Sequence, residues 1–350
     1  MAAVYVTEPG TKVHKSSERL VLTRQDQVVE EIPITKVDQL VLMGRGVSIS
    51  TAALFALAQR GVDVVYLSQT GKYVSRMVGT EHKHSKLRYS QALAVANEEA
   101  ALGVVKAIVL GKILNQRTLV QRQLQNRNAP SHALENMMAL ARKVDAAGTV
   151  DEVRGLEGMA AREYFSLLRA SLRPSTRGSW GFEGRAYYPP PDPINAMLSF
   201  GYTLLLKDFV AACQMIGLDP SLGFFHVIDY GRPSMALDLM EEFRPVIVDS
   251  IVLKTVNSGF IQPSDFEGAP EPDTEEEDQP EGQNPRRGTW MKEAARKRFI
   301  EMYENRVNEQ AVYALTSERM AYRRIFQLQA QQMGRLILGE IRNYSPVTIR

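Results

Sequence analysis

The 350-residue sequence contains a single cysteine, Cys213. That excludes a disulfide framework and any zinc site built on cysteines. No uninterrupted apolar run reaches the roughly 18 residues that a membrane span requires. The opening stretch, MAAVYVTEPG, lacks a basic segment followed by an apolar one, so no signal peptide is expected. The expected setting is a reduced cytoplasm, with no membrane partner. Several chemical signatures are also missing. There is no G-x-x-x-x-G-K-[ST] phosphate loop, no H-E-x-x-H and no G-x-S-x-G. Gly44-Arg45-Gly46 lacks the third glycine and the βαβ setting of a dinucleotide fingerprint. Whatever chemistry the protein performs falls to carboxylates and basic groups, with or without a histidine.

The remainder is ordinary globular material, 44% apolar and 23% charged. At roughly 150 residues per domain, the length suggests two domains. The net charge of +2 hides an uneven layout. Residues 265–281, DFEGAPEPDTEEEDQPE, hold nine acidic residues and no Lys or Arg. Without them, 42 basic residues face 31 acidic ones, and the body is basic. The stretch is rich in Pro and Gly and poor in large apolar groups, so 265–285 is expected to be a disordered acidic loop. A basic body favours a polyanionic partner. Two runs concentrate the charge. Ser85 to Asn128 carries Lys86, Arg88, Lys106, Lys112, Arg117, Arg122 and Arg127. Arg286 to Arg298 carries six more basic residues. Each run suits either a solvated helix face or contact with a phosphate backbone.

The pattern along the chain predicts an α+β protein. VYVT (4–7), RLVLTR (19–24), QLVLMG (39–44) and VVYLS (64–68) read as strands separated by glycine-bearing turns. STAALFALAQR (50–60) reads as a short helix capped by Ser50. After the polar break GTEHKHS (79–85) the period becomes helical. Helices are expected over 87–125, 131–147, 150–172 and 194–216, the last announced by Asp192-Pro193 and stopped by Gly217. Further helices are expected over 234–244 and 247–256, separated by Pro245, and over 290–316 and 319–339. The boundaries are therefore a small N-terminal β-rich domain (1–78), a hinge linker (79–85) and a large α-helical domain (86–350).

Two stretches could carry chemistry. In GLEGMAAREYF (155–165), Leu156, Met159, Ala160 and Tyr164 suit a buried stripe, with Glu157 beside it. Gly158 costs about 1 kcal/mol mid-helix relative to Ala, which suggests a close approach to the backbone there. In GFFHVIDYGRPSMALDLMEEFRP (223–245), His226 sits in an apolar run, and Asp238 neighbours Glu241 and Glu242 on one helix face. Clustered carboxylates repel, and either a bound cation or an arginine such as Arg232 or Arg244 would relieve them. From the residues alone, both stretches remain open between site and scaffold. Phosphodiester chemistry needs a divalent cation, and hard oxygens with one imidazole suit Mg²⁺ or Mn²⁺.

GLEGMAAREYF, WGFEGRAYYPPPDPINAMLSFGYTLL (180–205) and GFFHVIDYGRPSMALDLMEEFRPVIVD (223–249) together resemble the CRISPR-associated adaptation endonuclease and integrase family, the first of the Cas proteins. The likeness extends to QLVLMGRGVSISTAALFALAQRGVDVVYLSQTGKYV and ILNQRTLVQR, and covers nearly the whole chain outside the acidic insert. It implies a β domain joined to an α-helical catalytic domain. It implies that Glu157, His226 and Glu241 are the catalytic metal ligands, holding Mg²⁺ or Mn²⁺, with Asp238 a supporting acid beside them. Arg185, Asn195, Arg232 and Arg244 fall in family motifs with supporting roles. Candidate DNA contacts are Arg162, Arg185, Arg232, Arg244, Lys86 and Arg88. The implied partners are double-stranded DNA (spacer precursor and CRISPR repeat), a second copy of the chain, and a small second CRISPR adaptation protein. The implied activity is insertion of captured DNA into a CRISPR array by transesterification, with water attack giving nuclease activity. A structural DNA-bridging protein and an RNA-processing nuclease are the rival readings.

Overall fold

Apolar β-branched runs pair into two sheets at the start of the computed structural model, which describes residues 3–69, 71–77, 84–125, 131–186, 189–268 and 288–349. The chain divides into two compact units, Met1–Lys83 and His84–Arg350. In the first unit the elements run β1 (Ala3–Val6), β2 (Lys12–Ser16), β3 (Arg19–Arg24), β4 (Gln27–Pro33), β5 (Gln39–Met43), β6 (Ser48–Ile49), α1 (Thr51–Gln59), β7 (Asp63–Leu67) and β8 (Tyr73–Met77). One sheet has the order β1-β5-β7-β8 and the other β4-β3-β2-β6. In the first, β1, β5 and β7 are parallel, and β8 returns antiparallel to β7. Val6, Leu40 and Val64 from one sheet meet Val13, Leu20 and Leu22 from the other, together with Leu57 of α1, in a shared core. Ser50 caps α1 by accepting a hydrogen bond from the Ala53 N–H at 3.3 Å.

In this unit four described strands have no counterpart in the sequence expectation: β2, β4, β6 and β8. The sequence QVVEEIP of β4 is mostly exposed, so it carries little apolar signal. Its hairpin turn uses Gln25 and Asp26, both at positive φ, in place of the Asn-Gly or Asp-Gly pair that marks such turns.

The second unit continues with α2 (Ser85–Ala96), α3 (Glu98–Leu124), α4 (Ser131–Ala146), α5 (Val150–Ala170), α6 (Pro174–Arg177), α7 (Pro193–Ile216), α8 (Ser234–Met240) and α9 (Ser250–Ser258). It ends with β9 (Phe266–Gly268), β10 (Thr289–Met291), α10 (Glu293–Asn308), β11 (Gln310–Tyr313), β12 (Glu318–Ala321) and α11 (Tyr322–Ile337). α7 is the central helix. Asp192 caps it by accepting from the Asn195 N–H at 2.9 Å, and Gly217, at φ 93°, ends it. It is long and apolar enough to cross a membrane, but 72% of its most apolar window is buried inside the protein, as in a core helix. Phe209 of α7 stacks with Phe243 and Phe326 at centroid distances of 5.3 and 4.7 Å.

Several expected boundaries shift. The helix over 87–125 breaks at Asn97, whose side chain accepts from the Ala100 N–H and caps α3. Pro245 does not separate two helices. A 3₁₀ turn (Glu241–Phe243) and a π turn (Pro245–Asp249) carry the chain from α8 into α9. The wider π turn accommodates the missing proline N–H. The expected helices over 290–316 and 319–339 lose their ends to β10 and to the β11–β12 hairpin. The stretch 265–285 begins in ordered structure: Asp265 closes a 3₁₀ turn, and β9 pairs antiparallel with β10. Residues 269–285 lie outside the described residues. So do 79–83 of the expected linker, and Ser85 already starts α2.

Candidate active site

Four elements of the helical unit bring the candidate residues together. Thr149 caps α5 by accepting from the Glu152 N–H, and the helix buries Val153, Ala160, Tyr164, Leu167 and Leu168. Glu157 follows at the edge of that stripe and is partly exposed. Met159, expected in the stripe, is 47% exposed. Nothing lies within 4 Å of where a Cβ at Gly158 would point, so this glycine marks no close approach. The segment between α7 and α8 carries His226. It closes tightly on α8 at Gly223, where a Cβ would lie 2.7 Å from an Asp238 carboxylate oxygen.

Asp238 is fully buried and organises this segment. Its Oδ2 accepts from the Phe224 and Phe225 N–H groups at 2.6 and 2.9 Å. Its Oδ1 accepts from the His226 N–H at 2.9 Å and faces His226 Nδ1 at 2.7 Å. A carboxylate only accepts, so the ring proton belongs on Nδ1. The Nε2 lone pair then faces Glu241 Oε1 at 3.5 Å. This is the arrangement in which an outer carboxylate fixes an imidazole for metal ligation.

Glu241 lies at the turn leaving α8 and is buried. Burial alone would raise its pKa. The Arg244 and Lys112 cations outweigh that and hold the carboxylate down at about 2. Its neighbour Glu242 turns the other way. There Gln329 Nε2 and Tyr344 Oη donate to Oε1, and the Val347 N–H donates to Oε2. Those neutral donors do not offset burial, which pushes Glu242 up to about 8. Two adjacent glutamates are thus pushed in opposite directions by what surrounds each.

Glu157 meets Glu241 through a residue that sequence reasoning placed on a basic surface. Lys112 of α3 is buried, and its Nζ lies 2.6 Å from both Glu157 Oε1 and Glu241 Oε2. Burial pulls its pKa down, but the two carboxylates raise it above the ordinary lysine value. Arg244 Nη2 adds a second cation 3.1 Å from Glu241 Oε1, with its guanidinium over the Tyr202 ring at 4.9 Å.

Among the described residues no three His, Cys, Asp or Glu side chains close into a metal-holding group on their own. The Lys112 ammonium stands between two of the three candidates. The donor chemistry nevertheless fits a divalent cation. Glu241 Oε2 is buried and lies 2.6 Å from the Lys112 ammonium, a position that a metal cation could take. The imidazole lone pair faces another oxygen of the same carboxylate, an arrangement that a cation relieves.

The basic candidates divide. Lys86, Arg162 and Arg232 are exposed, and Arg88 is half-buried, with Nε donating to the Gly217 carbonyl at 3.4 Å. Arg185 and Arg244 turn inward. Arg185 donates to Asn195 Oδ1 and Ser199 Oγ, and Asn195 itself is buried and donates to Asp192 Oδ2. In the second basic run, Arg298 pairs with Asp265 and Lys297 with Glu293.

Fold and site define a class: a two-unit α+β protein whose helical unit carries a cluster of carboxylates, one imidazole and internal cations. The family model described as CRISPR associated protein Cas1 matches residues 4–305. CRISPR-associated endonuclease Cas1 2 of Rhodospirillum rubrum is 34% identical over 357 residues, covering 98% of this chain and 97% of its own. CRISPR-associated endonuclease Cas1 3 of Thermus thermophilus is 34% identical over 355 residues, covering 100% and 98%. The chain belongs to the CRISPR-associated Cas1 family. A Cas1 protein from Thermotoga maritima shares the fold with a TM-score of 0.79 at 22% identity, covering 100% of both chains. A casposase bound to integration product superposes with a TM-score of 0.81 at 19% identity, covering 99% of this chain and 93% of that one.

Proposed function

We propose that this protein is a divalent-metal-dependent DNA endonuclease and integrase of CRISPR adaptation. The observation that carries the proposal is the His226 imidazole, fixed through Nδ1 by buried Asp238 and aimed through Nε2 at Glu241, with Glu157 one ammonium away. Its relatives are named CRISPR-associated endonucleases, which supports the reaction class. Glu157, His226 and Glu241 would hold the Mg²⁺ or Mn²⁺ ion. When bound, the ion supplies Lewis-acid stabilisation of charge developing on a phosphodiester.

The remaining work belongs to the protein. Asp238 keeps the ring proton on Nδ1 and the lone pair on Nε2. Arg244 and Lys112 keep Glu241 ionised despite its burial. Exposed Lys86, Arg162 and Arg232 offer phosphate-backbone contacts that position DNA without reading its sequence. In strand transfer the 3′-hydroxyl of an incoming DNA end attacks a target phosphate. One P–O bond forms, one breaks, and the hydroxyl proton passes to solvent or to the leaving oxygen. Water in place of that hydroxyl gives cleavage. A second copy of the chain and a small second adaptation protein complete the assembly. The neighbouring structure described as a Cas6-RT-Cas1–Cas2 complex supports that part of the reading.

The test is transfer of a short duplex into a supercoiled plasmid carrying a CRISPR repeat, with and without the small partner and a chelator. Glu157→Gln, His226→Ala and Glu241→Gln are expected to lose transfer and cleavage while remaining folded. Transfer that survives chelation, or that survives in His226→Ala at ordinary Mn²⁺, overturns the proposal. DNA binding and bridging that persist in chelator without any chemistry would favour a structural DNA-bridging protein.

A further inference from the structure

Lys112 is an unusual lysine. Lysines are rarely buried, and this one is buried with two carboxylates from different elements at 2.6 Å. It comes from α3, Glu157 from α5 and Glu241 from the turn after α8, so these contacts join three separate parts of the helical unit. Glycine at position 111 lets α3 approach the C-terminal segment, because a Cβ there would lie 2.5 Å from Pro346. One helical turn on, Asn115 Nδ2 donates to the carbonyls of Glu242 and Val347. The backbone on both sides of Lys112 is therefore pinned, and the aliphatic stem enters the cluster from a fixed point.

From this geometry we infer that Lys112 is the built-in counter-ion of the metal site. Its ammonium holds Glu157 and Glu241 together before an ion arrives, and it must leave them for the ion to bind. The physical reason is charge. Two buried carboxylates at this separation repel, and a buried charge without a partner is costly. An ammonium answers both problems but has no fixed coordination geometry. A divalent ion with carboxylate and imidazole ligands binds the same oxygens more strongly. Lys112 is thus a positioning residue: it holds the two carboxylates on one shared cation, and it competes for them. Arg244 is less suited to this role: among the described residues its ion pair within 4 Å is with Glu241 and not with Glu157.

The inference rests on the proposed ion site, and its test separates the two. Mn²⁺ is titrated into the full-length protein by calorimetry and by electron paramagnetic resonance, for wild type, Lys112→Met and Lys112→Gln. Metal-free Lys112→Met is expected to melt lower than wild type, to bind Mn²⁺ about 10–100-fold tighter, and to show a larger rise in melting temperature on binding. A damaged fold weakens ion binding, so a gain in affinity reports competition and not structural harm. Equal or weaker Mn²⁺ affinity in both variants overturns the role of Lys112. Absence of Mn²⁺ binding in the wild type overturns the ion site itself.

A second measurement needs no variant. Acetic anhydride labelling of wild type, read by mass spectrometry of the Lys112 peptide, is expected to rise when Mn²⁺ is added, because the released ammonium loses both partners. Labelling that stays unchanged while Mn²⁺ demonstrably binds overturns the displacement.

Discussion

Two buried charge clusters in the helical unit have nearly the same composition and opposite characters. One is the Lys112, Glu157, Glu241 and Arg244 group. The other is Lys207 and Asp208 of α7 with Glu304 of α10 and Arg323 of α11. Each has one lysine, one arginine and two carboxylates, and each holds one carboxylate down at about 2 against burial. In the second cluster the bonding is closed. Asp208 Oδ1 accepts from Lys207 at 2.8 Å, and Oδ2 accepts from Tyr303 Oη and Arg323 Nη2 at 2.7 and 3.2 Å. In the first, the Lys112 ammonium is shared between Glu157 and Glu241 Oε2 at 2.6 Å, and an imidazole nitrogen faces Glu241 Oε1 at 3.5 Å. Buried charge by itself makes a strut. Carboxylates held by a shared ammonium beside an oriented imidazole make a site.

The contrast breaks most sharply at Asp208. Asp208→Asn removes the carboxylate charge that faces buried Lys207 and Arg323, and is expected to cost about 3–5 kcal/mol in urea unfolding. Glu241→Gln is expected to cost clearly less, because Lys112 keeps Glu157 as its partner. Equal losses at the two positions would mean that the clusters do the same job.

Asp238→Asn probes the oriented imidazole. With the amide oxygen kept on the Phe224 and Phe225 N–H groups, the NH₂ faces Nδ1 and donates where the carboxylate accepted, so the ring proton moves to Nε2 and the lone pair is lost from the Glu241 side. Mn²⁺ affinity measured by calorimetry is expected to fall about 10–100-fold. Unchanged affinity would show that the tautomer does not matter.

The remaining effect is a pH dependence. Asp249 accepts from Tyr164 Oη and Tyr202 Oη, and burial pushes it up to about 6 from its ordinary 3.8. A carboxyl whose pKa rises on folding contributes stability below its unfolded value and loses it as pH climbs through the folded one. Wild type is therefore expected to lose melting temperature relative to Asp249→Asn between about pH 4 and pH 6. A constant difference across that range would place Asp249 at its ordinary pKa.

Much of the architecture was legible in the residues. RLVLTR became β3 without adjustment, Ser50 and Asp192 capped the helices they announce, and Gly217 ended α7. The strands that escaped notice are exposed or short, such as β4 and β6, and lack an apolar alternation to read. Pro245 looked like a break because a proline ends an α-helix, yet a π turn carried the chain past it. At the site, the resemblance pointed to Glu157, His226 and Glu241, while spacing alone left them open. Lys112 was counted with Lys86 and Arg88 as surface charge. Nothing in GKILNQR distinguishes a lysine that faces water from one that faces two glutamates.

The order of strands then helices, the caps and the basic body were determined by the sequence itself, because they depend on residues a few positions apart. Only the tertiary structure decided which way burial and neighbours push each glutamate of the Glu241-Glu242 pair, and that a buried ammonium joins Glu157 to Glu241. Those outcomes depend on groups brought together from separate helices, where burial and the charge of the nearest neighbour set the energy of each proton.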